Sequence, residues 1–155
     1  MKVKFWGFVA VAFLATVFSL SSCEIETSKN GDLDGFWHLE RIDSLDSGQP
    51  VDYSKRRAFW GVEHKLIYAY DADLLVNYYF RFTQTPDSLI ITSAYLDHGH
   101  QDNGAEGGDI PVTEVTDSLR YYGIETLPQG FKKEALNGNK MVLKSQKVRL
   151  SFKRF

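Results

Sequence analysis

Apolar residues in this chain recur mostly at every second position, the period of a half-buried β-strand. Trp60, Val62, His64, Leu66, Tyr68 and Tyr70 share one parity, while Glu63 and Lys65 take the other. The pattern returns in Leu74, Val76, Tyr78, Phe80 and Phe82, which alternate with Asn77, Arg81 and Thr83. Asp71-Ala72-Asp73 separates the two runs and reads as a turn, so they are expected to pair as a hairpin. Thr85-Pro86-Asp87-Ser88 supplies another turn, with Pro86 presetting φ, and leads into a strand over Leu89 to Tyr95.

The C-terminal residues predict a hairpin. A two-residue turn at Ser145-Gln146 would set Leu143 opposite Val148 and Met141 opposite Leu150, with Phe152 continuing the same face and Lys144 facing Lys147 beside the turn. Asn137-Gly138 marks a preceding turn, and Asp117 to Tyr122 predicts one short helix, capped by Asp117 and stopped by Gly123. Eight strands follow, starting near Phe36, Phe59, Leu74, Asp87, Ile110, Gly130, Lys140 and Lys147. The expected class is all-β: an antiparallel up-and-down meander that closes into a small eight-stranded barrel, because closure removes exposed edges. A half-open barrel or a sandwich would satisfy the same alternation.

The N-terminus follows a different rule. Lys2 and Lys4 precede an apolar run from Phe5 to Phe18, which suits the core of a signal peptide better than a membrane-spanning helix of about 20 residues. Leu20-Ser21-Ser22-Cys23 resembles the lipobox of bacterial lipoproteins, in which the cysteine is lipidated and becomes the new N-terminus. That resemblance implies a leader over residues 1–22, at least a diacyl (palmitate-type) anchor on Cys23, and a lipid-anchored place in the cell envelope, at the outer membrane. Cys23 is the only cysteine, so lipidation also accounts for an otherwise odd thiol in an exported chain. Residues 23–34 are polar and are expected to form a flexible tether, leaving 35–155 as one domain.

Loss of residues 1–22 from the 155-residue chain leaves 133, enough to bury a single core. The leader carries Lys2 and Lys4 and no acid, so the formal charge of −2 falls to −4, which argues against nucleic-acid binding. Between Arg81 and Arg120 there is no Lys or Arg, whereas Lys132, Lys133, Lys140, Lys144, Lys147, Arg149, Lys153 and Arg154 make the C-terminal part basic. The two segments are expected to be sheet neighbours or solvated faces of complementary charge.

Gly35-Phe36-Trp37, at the start of the first strand, is similar to the Gly-x-Trp signature of lipocalins. The resemblance implies that Trp37 plugs the closed end of a barrel and that an arginine near the end of the last strand lies over its indole; Arg154 holds that place as a cation–π partner. Together with the leader, the pattern looks like that of lipocalin-like bacterial lipoproteins. It departs from typical lipocalins in its shorter barrel and in having neither a disulfide nor a long C-terminal helix.

Three features carry candidate chemistry. Asp97, His98, His100 and Asp102, in a glycine-rich loop, offer oxygen and nitrogen donors for zinc, another transition metal or calcium, although their spacing matches no established site and alternate histidines in such a loop are more often solvated polar residues. His64 falls on the apolar parity of its run, where it either makes a core hydrogen bond or faces a cavity. Tyr68, Tyr70 and Tyr78 combine apolar area with a polar tip, so with His64 they are the expected lining of a pocket for a small, mostly apolar ligand. No nucleophile elbow, phosphate-binding glycine loop or His-Glu-x-x-His is present, and no cofactor is called for. The reading is a non-enzymatic envelope protein that binds such a ligand, or else an interaction subunit of an envelope assembly with a filled barrel core; the oligomeric state is left open.

Overall fold

The computed structural model describes residues 28–99 and 109–155. The expected leader and Cys23, and also His100 and Asp102, lie outside the described residues. Ten strands and one α-helix are present among those described: β1 (Gly35–Ser44), β2 (Pro50–Asp52), β3 (Ala58–Glu63), β4 (Leu66–Asp71), β5 (Tyr78–Gln84), β6 (Ser88–Leu96), β7 (Ile110–Pro111), α1 (Asp117–Tyr121), β8 (Gln129–Leu136), β9 (Lys140–Lys144) and β10 (Val148–Arg154). The antiparallel path runs β1-β3-β4-β5-β6-β8-β9-β10, and β10 pairs back onto β1. The chain is therefore a closed eight-stranded antiparallel barrel with two short extra strands, β2 on β1 and β7 on β6.

Closure explains the alternation read in the sequence, since the strands turn alternate residues into the barrel, with bulges in β1 after Leu39 and in β6 after Ile91 moving the inward parity to Ile42 and Ala94. Trp37, Leu39, Trp60, Val62, Tyr78, Phe80, Phe82, Leu89, Ile91, Phe131, Met141, Leu143, Leu150 and Phe152 are all buried. The expected continuous strand from Trp60 to Tyr70 is instead a hairpin. His64 and Lys65 form its two-residue turn, with His64 at φ 53, and Trp60 pairs with Ala69 while Val62 pairs with Ile67. Residues that face each other across such a turn have opposite parity, so the inward set switches from Trp60 and Val62 to Ile67, Ala69 and Asp71. Leu74 and Val76, expected to begin the next strand, lie in the loop before β5.

The terminal hairpin turns at Gln146-Lys147 rather than Ser145-Gln146, because Leu143 pairs with Leu150 and Met141 with Phe152. The slip moves each partner by two residues, so the inward faces are unchanged. Lys144 consequently meets Arg149 rather than Lys147, and Glu134 on β8 sits between them, 2.6 Å from Arg149 Nε and 3.9 Å from Lys144 Nζ. The helix α1 is capped by Thr116, whose hydroxyl accepts from Leu119 N at 3.3 Å, and not by Asp117. Gly123 follows it at φ 85. A Cβ there would lie 2.5 Å from Leu150 Cδ2, so this helix end also requires glycine for lack of space.

Candidate functional site

One end of the barrel is sealed by the residues leading into β1. Gly31–Leu33 forms a single 3-10 turn with Leu33 fully buried, so the second half of the expected tether belongs to the folded domain. Trp37 is fully buried beneath this turn and its indole Nε1 donates to Leu33 O at 2.9 Å. The Arg154 guanidinium lies 4.4 Å over the Trp37 ring and donates to Asp34 O at 2.7 Å and Asp32 O at 3.0 Å. It therefore supplies positive charge where the turn's carbonyls end, as well as a cation over the indole face. Gly35, at φ 129, makes room for it: a Cβ would lie 3.0 Å from Arg154 Cζ and closer still to Nη1.

The opposite end is plugged by the connection from β7 to β8. Leu119, Tyr122 and Ile124 are each at most 1% exposed and join the core cluster. The plug is held to the rim by four tyrosines. Tyr53 donates to Tyr121 O at 2.9 Å, Tyr121 to Asp71 Oδ2 at 2.6 Å and Tyr122 to Val76 O at 3.0 Å, while Tyr78 meets Thr116 Oγ1 at 3.4 Å. Gln129 closes the underside, donating to Gly123 O and accepting from Glu125 N and Thr126 N. Burial and then the Asp71 carboxylate push the Tyr121 phenol up to about 12, and burial raises Tyr53 and Tyr122 as well. All these hydroxyls stay protonated as donors at neutral pH.

Asp71 had been read as a turn residue, yet it is 2% exposed and organises this end. Its Oδ1 accepts from Asp73 N and Leu74 N, fixing the β4–β5 loop, while its Oδ2 receives Tyr121. Only the parity switch at the His64-Lys65 turn places it inside. The polar triplet Glu63-His64-Lys65 is the sequence signal for that switch.

The residues expected to line an internal pocket are dispersed. Tyr78 does face inward, 4% exposed, and packs edge-on against Tyr122 at 6.1 Å. Tyr68 and Tyr70 lie on the outer face of β4, and His64 is a turn residue with half its side chain exposed. Instead of enclosing a ligand, Tyr68 stacks on Tyr79 at 4.7 Å and on Tyr70 at 5.8 Å. Its hydroxyl donates to Asp97 Oδ2 at 2.9 Å, and burial followed by that bond raises its pKa. Asp97 is further engaged by Gly99 N, and His98 N donates to Asp109. Among the described residues no three His, Cys, Asp or Glu side chains are placed to hold a metal ion.

The barrel interior is filled. Trp60, the cross-strand partner of Trp37, contacts Phe80, Phe131 and Phe152 with ring centroids 5.0–6.3 Å apart. An open groove of about 680 Å³ lies outside the barrel, walled by Ser28, Phe36, Glu63, Leu66, Tyr68 and Tyr79. Two smaller hollows, of about 250 and 300 Å³, flank Glu125 and Lys147 at the plugged rim.

A tryptophan sealed under a 3-10 turn, an arginine laid over it and an eight-stranded meander closed first to last define a lipocalin-like barrel. The chain belongs to the lipocalin-like domain family, whose pattern it matches over residues 18–155. Among solved structures it resembles a lipocalin-like protein from Bacteroides uniformis ATCC 8492 at 18% identity and a TM-score of 0.55, over 81% of this chain and all of that one. It also resembles an uncharacterized protein from Bacteroides eggerthii DSM 20697 at 21% identity and a TM-score of 0.54, over 79% of this chain and 98% of the other. No curated protein matches it.

Proposed function

We propose that this chain is a non-catalytic interaction module of the cell envelope, anchored by lipid on Cys23 and working through the outside of its barrel. The observation that carries this reading is the filled interior: Trp37, Trp60, Phe80 and Phe131 occupy it and Leu119, Tyr122 and Ile124 stopper its mouth. An eight-stranded barrel is wide enough either for its own side chains or for one small guest, and here the side chains take the space. The leader's apolar run and Leu20-Ser21-Ser22-Cys23 support export and anchoring.

A second reading keeps the small, mostly apolar ligand and places it in the barrel after the plug swings out. The buried indole Nε1 of Trp60, which has no hydrogen-bond partner among the described residues, favours it, because a polar atom of a guest would satisfy that donor. One experiment separates the two. A ligand that binds only the folded state stabilises it by RT ln(1 + [L]/Kd), so a thermal-shift screen of lipids, aromatics, sterols and sugars reads occupancy directly. No shift is expected. A shift that disappears when Trp60 is replaced by Phe would overturn the interaction reading in favour of the enclosed ligand.

A further inference from the structure

The outer face beside the chain's entry point carries aromatic surface that the fold does not use. A line of ring contacts runs from Phe155 to Phe36 at 6.0 Å, Phe36 to Phe59 at 4.8 Å, Phe59 to Tyr70 at 6.5 Å, Tyr70 to Tyr68 at 5.8 Å and Tyr68 to Tyr79 at 4.7 Å. All these rings project away from the barrel core, where a sheet face turned to water is ordinarily polar. Phe155 is 82% exposed and Leu66, beside Tyr68, is 41% exposed. The open groove lies within this strip. Contiguous apolar surface of this kind marks a docking site.

We propose that this strip docks on the bilayer that holds the Cys23 lipid, laying the barrel on its side against the membrane. The inference rests on the lipid-anchor reading. Ser28 fixes where the tether leaves the domain: its hydroxyl donates to Asp34 Oδ1 at 2.7 Å and accepts from His64 N at 3.0 Å, and Asn30 Nδ2 reaches both Ser28 Oγ and His64 O. Ser28 is also a wall of the groove. Four residues lie between it and Cys23, and those five Cα–Cα steps span at most about 18 Å. The surface around Ser28 is therefore confined to the neighbourhood of the lipid headgroups, and that surface is the aromatic strip.

The chemistry suits an interface rather than a closed pocket. Tyrosine rings with polar tips are the side chains favoured at headgroup depth, and Tyr68, Tyr70 and Tyr79 present three of them in a row. Lys29, Lys65, Arg81 and Lys153 are exposed around the strip, where cations near an anionic leaflet are attracted to it. Glu63 and Asp34 are the acids in the groove wall; Asp34 is bound to Ser28 and Asn30, and Glu63 stands 3.8 Å from His64. The fully exposed Leu75 belongs to the β4–β5 loop at the plugged end, away from Ser28, and serves as an internal reference.

The test uses the full-length protein, processed and lipidated in its host, in vesicles of phosphatidylethanolamine and phosphatidylglycerol. Once Cys23 is acylated the chain has no other thiol, so a nitroxide can be attached singly at Leu66→Cys or at Leu75→Cys. Docking predicts a severalfold loss of collisions between a water-soluble nickel chelate and the label at position 66 in vesicles, with gain of oxygen collisions, and no change at position 75. Replacing Phe36, Tyr68 and Phe155 together by Ser should restore chelate access at position 66 while the protein still floats with the vesicles. Equal access at positions 66 and 75 in floating protein would overturn docking and leave the anchor standing. Failure to float would overturn the anchor and docking with it. Shielding of position 66 that depends on protein concentration without vesicles would assign the strip to a second copy of the chain instead.

Discussion

Replacing Gly35 by Ala tests how the sealed end is built, because one methyl group should undo three interactions at once. At φ 129 the backbone of Gly35 lies where L side chains are strained, a cost of about 1–3 kcal/mol. The new Cβ would also stand 3.0 Å from Arg154 Cζ, so the guanidinium must leave. With it go the hydrogen bonds to Asp34 O and Asp32 O and the 4.4 Å stacking over Trp37. Hydrogen bonds from a charged donor are worth about 1.5–3 kcal/mol and an exposed cation–π contact about 0.5–1 kcal/mol. Because Arg154 is only half-buried, solvent screening brings the guanidinium share below the sum of these, to about 2–3 kcal/mol, for a total of about 3–6 kcal/mol. A double-mutant cycle with Arg154→Ala separates the parts. In the Arg154→Ala background only the backbone strain of about 1–3 kcal/mol remains, so the two substitutions should be sub-additive by about 2–3 kcal/mol in urea unfolding. Additivity to within about 0.5 kcal/mol would show that Gly35 is not there to seat the arginine.

The other expectations are briefer. Trp37→Ala should cost about 3–5 kcal/mol in the same assay, and a loss below about 1 kcal/mol would refute its role as the seal. Leu119→Ala should destabilise by about 2–5 kcal/mol and increase amide exchange at the plug, whereas a dispensable plug would show neither. The phenol of Tyr121 is raised from 10.0 to about 12, so the unfolded chain loses this proton first. Its contribution is intact below about pH 10 and is lost as pH rises through about 12, so alkaline unfolding of Tyr121→Phe should be less steep in that window; an unchanged profile would remove the Tyr121–Asp71 link from the account. Cys23→Ala should abolish palmitate incorporation and detergent-phase partitioning, and a variant still labelled and anchored would end the lipobox reading.

Strand identity was written plainly in the chain, because alternation over Met141 to Phe152 has one inward solution on either side of its turn. The seal was legible for a similar reason, since Gly35, Trp37 and Arg154 take fixed places at the first and last strands. The candidate pocket was not. Alternation running unbroken through Glu63-His64-Lys65 hid a two-residue turn, and a turn of that length reverses which parity is buried, moving Tyr68 and Tyr70 from the lining to the outer wall. The plug was hidden differently: Leu119, Tyr122 and Ile124 follow no strand period, and the segment that buries them in the core is tied through Tyr121 and Tyr122 to Tyr53, Asp71 and Val76, residues some 45 to 70 positions away in sequence. Local patterning carries no trace of such contacts.

The pairing of β1 with β10 also dictates when the molecule can become native. Every other strand of the barrel finds a neighbour closer in sequence, but β1 meets β10 across more than a hundred positions, as in the pairing of Trp37 with Arg154. Contacts that join chain ends across such a distance close late and slowly, since the loop entropy must be overcome before they contribute. Until β10 docks, the other strands would thus form an open, curled sheet with its aromatic interior accessible. Removing β10 (Val148–Arg154) should then leave an unclosed sheet rather than a slightly weaker barrel.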